Sequence, residues 1–225
     1  MQTFSKSKMK DLYFMPGMAA NSKIFENIVL NESAYNLHFI EWLEPSKNES
    51  LKMYSERIAE QIICKNPILI GVSFGGIVVQ EIAKLIPVEK VIIISSVKDP
   101  SEFPPRIQWA RKWKLYYFFP TSSVTFIENL TKKIVSSKKI THRIEMYQKY
   151  LTMRSANYLD WAFKSVVGWE NKNPVPNVYH LHGSKDHIFP VKRIRNAEIL
   201  ENGSHVMVLL NARWVTRKLL EILER

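Results

Sequence analysis

Pro67-Ile68-Leu69-Ile70-Gly71-Val72-Ser73-Phe74-Gly75-Gly76-Ile77 decides the fold of this 225-residue chain. Its first half is a short apolar run behind a proline, the pattern of a strand buried on both faces of a parallel sheet. Its second half leads into a helix over Ile77 to Ile86 that Pro87 stops. Between them stands a serine with a glycine two residues to either side. Gly-x-Ser-x-Gly between a strand and a helix holds the serine on a sharp, strained turn, whose flanking residues must be close to bare backbone. Gly76 lets the helix that follows pack close to the sheet. The helix N-terminus brings positive backbone dipoles near any oxyanion formed at the serine.

Working outward, short apolar runs alternate with helical patterns. Strands are predicted at Asp11 to Met15, Leu37 to Trp42, Pro67 to Val72, Lys90 to Ser95 and Val178 to Leu181, with a weaker sixth at Ala197 to Leu200. The spacing predicts helices over Leu51 to Cys64, Ile77 to Ile86 and Val206 to Leu223, the last with Leu209, Leu210, Leu219 and Leu220 as apolar anchors. Strand-helix alternation of this kind implies an α/β fold, a parallel sheet with helices on both faces.

The alternation stops at about Val97. Residues 97–177 offer no clear strand. Helical spacing recurs there at Phe126, Ile127, Leu130 and Ile134, at Ile140, Ile144, Tyr147 and Leu151, and at Leu159, Ala162, Phe163 and Val166. The segment reads as a helical lobe inserted over the carboxyl ends of the strands, which leaves 1–96 and 178–225 as the core. Its Trp109, Trp113, Tyr116 and Tyr117 suit an apolar acyl or aryl pocket, though aromatic residues at this spacing also fill cores. Trp109 and Trp113, with Gly17, are taken as candidate substrate-binding residues.

Composition narrows the function classes. Hydrophobic residues make up 46% of the chain, so it is globular. The single cysteine, Cys64, excludes an intramolecular disulfide and a cysteine-based metal site, and reads as a small core residue. The basic N-terminal residues lead into no apolar run of a signal peptide, and no run reaches the ~18 residues of a membrane span, so a cytoplasmic setting is expected. Eight of the eleven net positive charges fall within residues 97–177. Such a field attracts anions, but no nucleic-acid-binding fold accompanies it, so a solvated basic face is the expectation.

A serine hydroxyl needs a base to take its proton. His205 follows the last strand in the turn Asn202-Gly203-Ser204-His205, where a loop can carry the ring over the sheet edge. His38 and His180 lie inside predicted strands, His182 ends one, His142 is in the lobe and His187 neighbours the acid. The acid that orients the base is taken as Asp186, in His182-Gly183-Ser184-Lys185-Asp186, with Asp99 after the fourth strand as the rival. Two backbone N–H groups complete the set, that of Phe74 after the serine and that of Met18 in the loop after the first strand. Gly17 is expected to give that loop its backbone freedom.

These motifs together resemble the alpha/beta-hydrolase superfamily, over nearly the whole chain. The motifs are Pro16-Gly17-Met18, Gly71-Val72-Ser73-Phe74-Gly75-Gly76, Gly183-Ser184-Lys185-Asp186 with Pro190, and Gly203-Ser204-His205, in the superfamily's order Ser, Asp, His. The resemblance implies a nucleophile at Ser73, an acid at Asp186, a base at His205 and a cap at residues 97–177. Pro16 departs from the histidine that many relatives carry there. The two leading antiparallel strands of larger relatives are missing from the pattern, so the sheet is expected to be minimal, mostly parallel and six-stranded.

The reaction expected is acyl transfer from an ester or thioester to water through an acyl-enzyme on Ser73, with no metal or cofactor, and a small-molecule substrate. An acyltransferase, a lyase or a C–C hydrolase could use the same three residues, and a non-catalytic binding protein could keep the scaffold. An imidazole base predicts activity that rises with pH through roughly 6.5 to 7.

Overall fold

A computed structural model of the chain describes residues 9–114 and 148–225. Six strands form one sheet: β1 (Lys10–Met15), β2 (Tyr35–Phe39), β3 (Ile68–Val72), β4 (Lys90–Ile94), β5 (Val178–Gly183) and β6 (Glu198–Leu200). Their order is β2-β1-β3-β4-β5-β6, and every pairing is parallel. Helices α1 (Leu51–Ala59), α2 (Phe74–Ile82), α3 (Pro105–Lys112), α4 (Ala156–Gly168), α5 (Met207–Leu210) and α6 (Ala212–Leu223) connect or flank them. The expected α/β architecture is therefore present, with a wholly parallel sheet.

Alternation along the strands sorts the core onto two faces. From β1, Leu12 and Phe14 join Ile68, Ile70, Ile92 and Ile94 on one side, against Val215, Leu219 and Ile222 of α6. Tyr13 and Met15 join Leu69 and Ile93 on the other, against Ile58 of α1, Ile77 and Val78 of α2, and Tyr158 and Trp161 of α4. Each fully buried side chain of this size contributes about 1.5–3 kcal/mol of apolar transfer free energy.

The strand order fixes where a site can form. The chain leaves β1 toward β2 on one side, then returns to place β3 on the other. The loops after β1 and β3 therefore part in opposite directions and leave a crevice at the carboxyl ends of these strands, the usual ligand position in open α/β sheets. Met15 and Gly71 are register partners at that end.

Several boundaries differ from the sequence expectation. The second strand ends at Phe39, and Ile40 and Trp42 are buried beyond it in the loop. Helix α1 ends at Ala59, so Cys64 lies past it, half-buried against the core rather than within it. The last helix breaks at Asn211, whose φ of −127° and ψ of 33° are not helical. The buried stripe nevertheless keeps its spacing across the break, at Val208, Ala212, Val215, Leu219 and Ile222. Leu219 is buried while Leu210, an expected anchor, is exposed.

Within 97–177, the spacing at Leu159, Ala162, Phe163 and Val166 falls on α4, capped at its start by Ser155, whose Oγ accepts from the Tyr158 N–H. The spacing at Phe126 to Ile134, most of that at Ile140 to Leu151, and Tyr116 and Tyr117 lie outside the described residues. No helix among the described residues is long and apolar enough to cross a membrane.

Candidate active site

Ser73 sits in the single step between β3 and α2. Its φ of 52° and ψ of −117° are strained for a residue with a side chain, and such strain is kept only where the surroundings enforce it. They do so here through close backbone approach. A Cβ on Gly71 would fall under 3.0 Å from the carbonyl of Gly75, and one on Gly75 under 3.0 Å from the carbonyls of Pro16 and Met15. A Cβ on Gly76 would strike Ser96, whose hydroxyl donates to the Ser73 carbonyl at 2.7 Å.

Gly71, Gly75 and Gly76 thus serve proximity rather than unusual dihedrals, and no described glycine has a positive φ. This corrects the role expected of Gly17. Its nearest neighbours to an added Cβ, Ser73 and Val72, stand at 3.6 Å, an ordinary contact. The left-handed residue of that loop is Ala19, with φ of 64°.

The acid and the base arrive on two loops joined to each other. Ser184 N–H donates to the Leu200 carbonyl and Lys185 N–H to the Gly203 carbonyl. Gly183 approaches Gly203 so closely that a Cβ would fall under 3.0 Å from its carbonyl oxygen. This seam brings together residues nineteen apart. Asp186 Oδ2 lies 2.8 Å from His205 Nδ1, and His205 Nε2 lies 2.9 Å from Ser73 Oγ.

Both Asp186 and His205 are buried. Burial alone would raise the Asp186 pKa, but His205, His182 and the Phe189 N–H outweigh it and hold the carboxyl below its ordinary value. An ionised carboxylate only accepts, so His205 carries its proton on Nδ1 and leaves Nε2 to accept from the Ser73 hydroxyl. The other carboxylate oxygen accepts from the Ile188 and Phe189 N–H groups at 2.8 and 2.9 Å, which fixes the rotamer.

The amides around Ser73 are mostly engaged. Ser73 N–H donates to the Ile94 carbonyl, Gly76 N–H to the Ser73 carbonyl, Ala20 N–H to the Gly17 carbonyl, and Ala19 N–H to the Tyr158 hydroxyl. Phe74 and Met18 N–H have no acceptor among the described residues.

The remaining expected residues fall elsewhere. Asp99 is exposed and caps a 3-10 turn, accepting from Ser101 N–H at 2.8 Å. Trp109 and Trp113 stand exposed on and just after α3 with ring centroids 6.3 Å apart, paired with each other and with no member of the Ser73 relay. No group of three or more His, Cys, Asp or Glu able to hold a metal occurs among the described residues.

His182, near the end of β5, is a further neighbour of Asp186. It is fully buried, with Nε2 donating to the Phe189 carbonyl at 2.8 Å and 3.6 Å from Asp186 Oδ2. Burial depresses its pKa, so it stays neutral behind the carboxylate. Its spacing from Asp186 across a glycine turn was the available signal.

A strained serine, an imidazole and a buried carboxylate in hydrogen-bonded line at a switch point of a parallel sheet define a hydrolase-type α/β scaffold. The family model described as "Alpha/beta hydrolase family" matches residues 41–217, so the chain belongs to that family. Solved structures agree in fold. The chain is similar to a bromoperoxidase from Bacillus anthracis (16% identity, 97% of this chain and 93% of that chain covered, TM-score 0.72). It is also similar to an esterase from Exiguobacterium antarcticum (14%, 96% and 92%, 0.70) and to a lipase-esterase related protein from Clostridium acetobutylicum ATCC 824 (18%, 96% and 95%, 0.67). No curated protein sequence matches the chain.

Proposed function

We propose that the protein is a serine hydrolase that cleaves carboxylic esters or thioesters through an acyl-enzyme on Ser73. The observation that carries this reading is the continuous relay from Asp186 through His205 to Ser73, with steps of 2.8 and 2.9 Å. Both distances lie within the reach required of a nucleophile, its base and the group that orients the base.

Ser73 Oγ attacks the carbonyl carbon as its proton passes to His205 Nε2. The π pair of the carbonyl moves onto its oxygen, giving an oxyanion that accepts from the Phe74 and Met18 N–H groups. The carbonyl then re-forms, the single bond from the acyl carbon to the alkoxide oxygen or thiolate sulfur breaks, and His205 returns the proton to that leaving atom. Water then repeats the sequence on the acyl-enzyme, releases the acid and restores Ser73. Asp186 holds the ring and offsets the positive charge it gains. The chemistry calls for no metal or cofactor.

Residues 97–177 form the proposed cap over this crevice, with Gly17 at the floor beside Ser73. Trp109 and Trp113 are kept as candidate substrate-binding residues of that cap.

Hydrolysis of short p-nitrophenyl esters and acyl thioesters, followed by identification of the free acid, tests the reading. Ser73→Ala is expected to lower turnover by on the order of 10³-fold or more. Activity near that of the wild type in this variant, or a product other than the acid, contradicts it.

A further inference from the structure

The loop after β1 carries one of the two proposed oxyanion donors, and two aromatic side chains far away in sequence hold the peptide planes on either side of it. In the Gly17–Met18 peptide, the Gly17 carbonyl accepts from Trp42 Nε1 at 2.9 Å. In the Met18–Ala19 peptide, the Ala19 N–H donates to the Tyr158 hydroxyl at 3.2 Å, and both residues are buried. The C=O and N–H of a trans peptide point in opposite directions, and no described peptide is cis. The Gly17 carbonyl also accepts from Ala20 N–H at 3.0 Å, and the indole adds the second anchor that sets the direction of the Met18 N–H.

Four further contacts tie the device together. The Trp42 ring stacks on Phe74, which bears the other proposed donor, at 5.1 Å and 9°. Tyr158 meets Trp42 edge-on at 5.5 Å. Ala19 keeps its left-handed backbone while its carbonyl accepts from Thr152 and Met153 N–H at 3.0 and 3.1 Å. A residue with a side chain holds that conformation only where neighbours enforce it.

We propose that Trp42 and Tyr158 are positioning residues that together aim the Met18 N–H at the oxyanion. This inference rests on the serine-hydrolase reading above. It gives α4 a part in the reaction, because Tyr158 couples that helix to the loop of the donor. It also explains why Trp42 turns inward beyond the end of β2.

Trp42→Phe keeps a ring against Phe74 and removes the indole N–H. Tyr158→Phe keeps the edge contact and removes the hydroxyl. With p-nitrophenyl acetate, each is expected to lower kcat about tenfold with KM held within about twofold, because the oxyanion exists only beyond the ground state. Affinity for a trifluoromethyl ketone, whose adduct bears the same oxyanion, falls by the same factor. The double variant loses less than the product of the two, since both act on one amide. Rates are counted per serine titrated by a fluorophosphonate, so a loss of folded protein does not register as a loss of kcat.

Tyr54→Phe separates positioning from packing. It removes a hydroxyl bonded to the backbone of Leu43 in the same aromatic cluster, and is expected to lower Tm without lowering kcat. Unchanged kcat in Trp42→Phe and Tyr158→Phe, an effect on KM alone, or an equal loss of kcat in Tyr54→Phe overturns the proposal. If the wild type is labelled and these variants are unaffected, only this inference falls. A wild type whose Ser73 is not labelled removes the hydrolase reading as well.

Discussion

Asp186→Asn separates the geometry of the site from its charge. The substitution changes no heavy-atom count, and the amide oxygen can keep the bonds from Ile188 and Phe189 N–H. The amide nitrogen then stands where Oδ2 lies, 2.8 Å from His205 Nδ1, and donates toward it. His205 must accept on Nδ1 and so carries its proton on Nε2, facing Ser73. In that tautomer the ring cannot take the serine proton. Loss of the correct tautomer costs on the order of 10⁴-fold in kcat in serine enzymes, about 5 kcal/mol at 1.36 kcal/mol per decade.

The same variant has a stability signature with a definite sign. The carboxyl of Asp186 is depressed in the fold, despite its burial, by His205, His182 and the Phe189 N–H. It therefore adds stability above the ordinary aspartate pKa of about 3.9, which is lost as pH falls through the lower folded value. Asp186→Asn should melt below the wild type at pH 7, and the gap should narrow toward pH 3. Stopped-flow ester hydrolysis per titrated serine, alongside calorimetry, measures both effects. Activity within tenfold of the wild type would refute the tautomer argument, and a gap that widens in acid would refute the linkage.

Three further outcomes follow from the same contacts. Gly75→Ala places a Cβ against the carbonyls of Pro16 and Met15, neither the movable end of a side chain. It should cost about 3 kcal/mol, or roughly 6–12 °C in Tm by differential scanning calorimetry. Gly17→Ala meets only contacts at 3.6 Å and should melt within about 2 °C of the wild type, by the same scaling, which a larger loss would contradict. Burial depresses the pKa of His180 and His182, so the unfolded chain binds more protons below about pH 6.5. Tm should therefore fall from pH 7 to pH 5, and the fall should shrink in His180→Phe; an unaltered slope there would remove His180 from the account.

The legible part of the sequence was the part whose physics is local. β-branched runs beside Pro67 and Lys90 mark strands whatever the rest of the chain does, and Gly71, Ser73 and Gly75 report a turn built from adjacent residues. Asp186 and His205 were legible because each sits in its own glycine turn after a strand. What stayed hidden depends on contacts distant in sequence. Trp42 reads as the end of a strand until its indole is seen on the Gly17 carbonyl, and Tyr158, outside the apolar spacing of Leu159, Ala162, Phe163 and Val166, carries no sequence signal for its hydroxyl's bond to Ala19. Close packing at Gly71, Gly75 and Gly76 was legible in the motif, but its partners, Pro16 and Ser96 among them, are a tertiary fact, as is the approach of Gly183 to Gly203. The break at Asn211 escaped because the apolar spacing continues across it.

The most direct measurement is mass-spectrometric mapping of the protein after reaction with a fluorophosphonate. The account predicts one covalent adduct on the peptide containing Ser73, absent in Ser73→Ala and formed far more slowly in Asp186→Asn. An adduct on another residue, or an unmodified Ser73 in the folded wild-type protein, would contradict it.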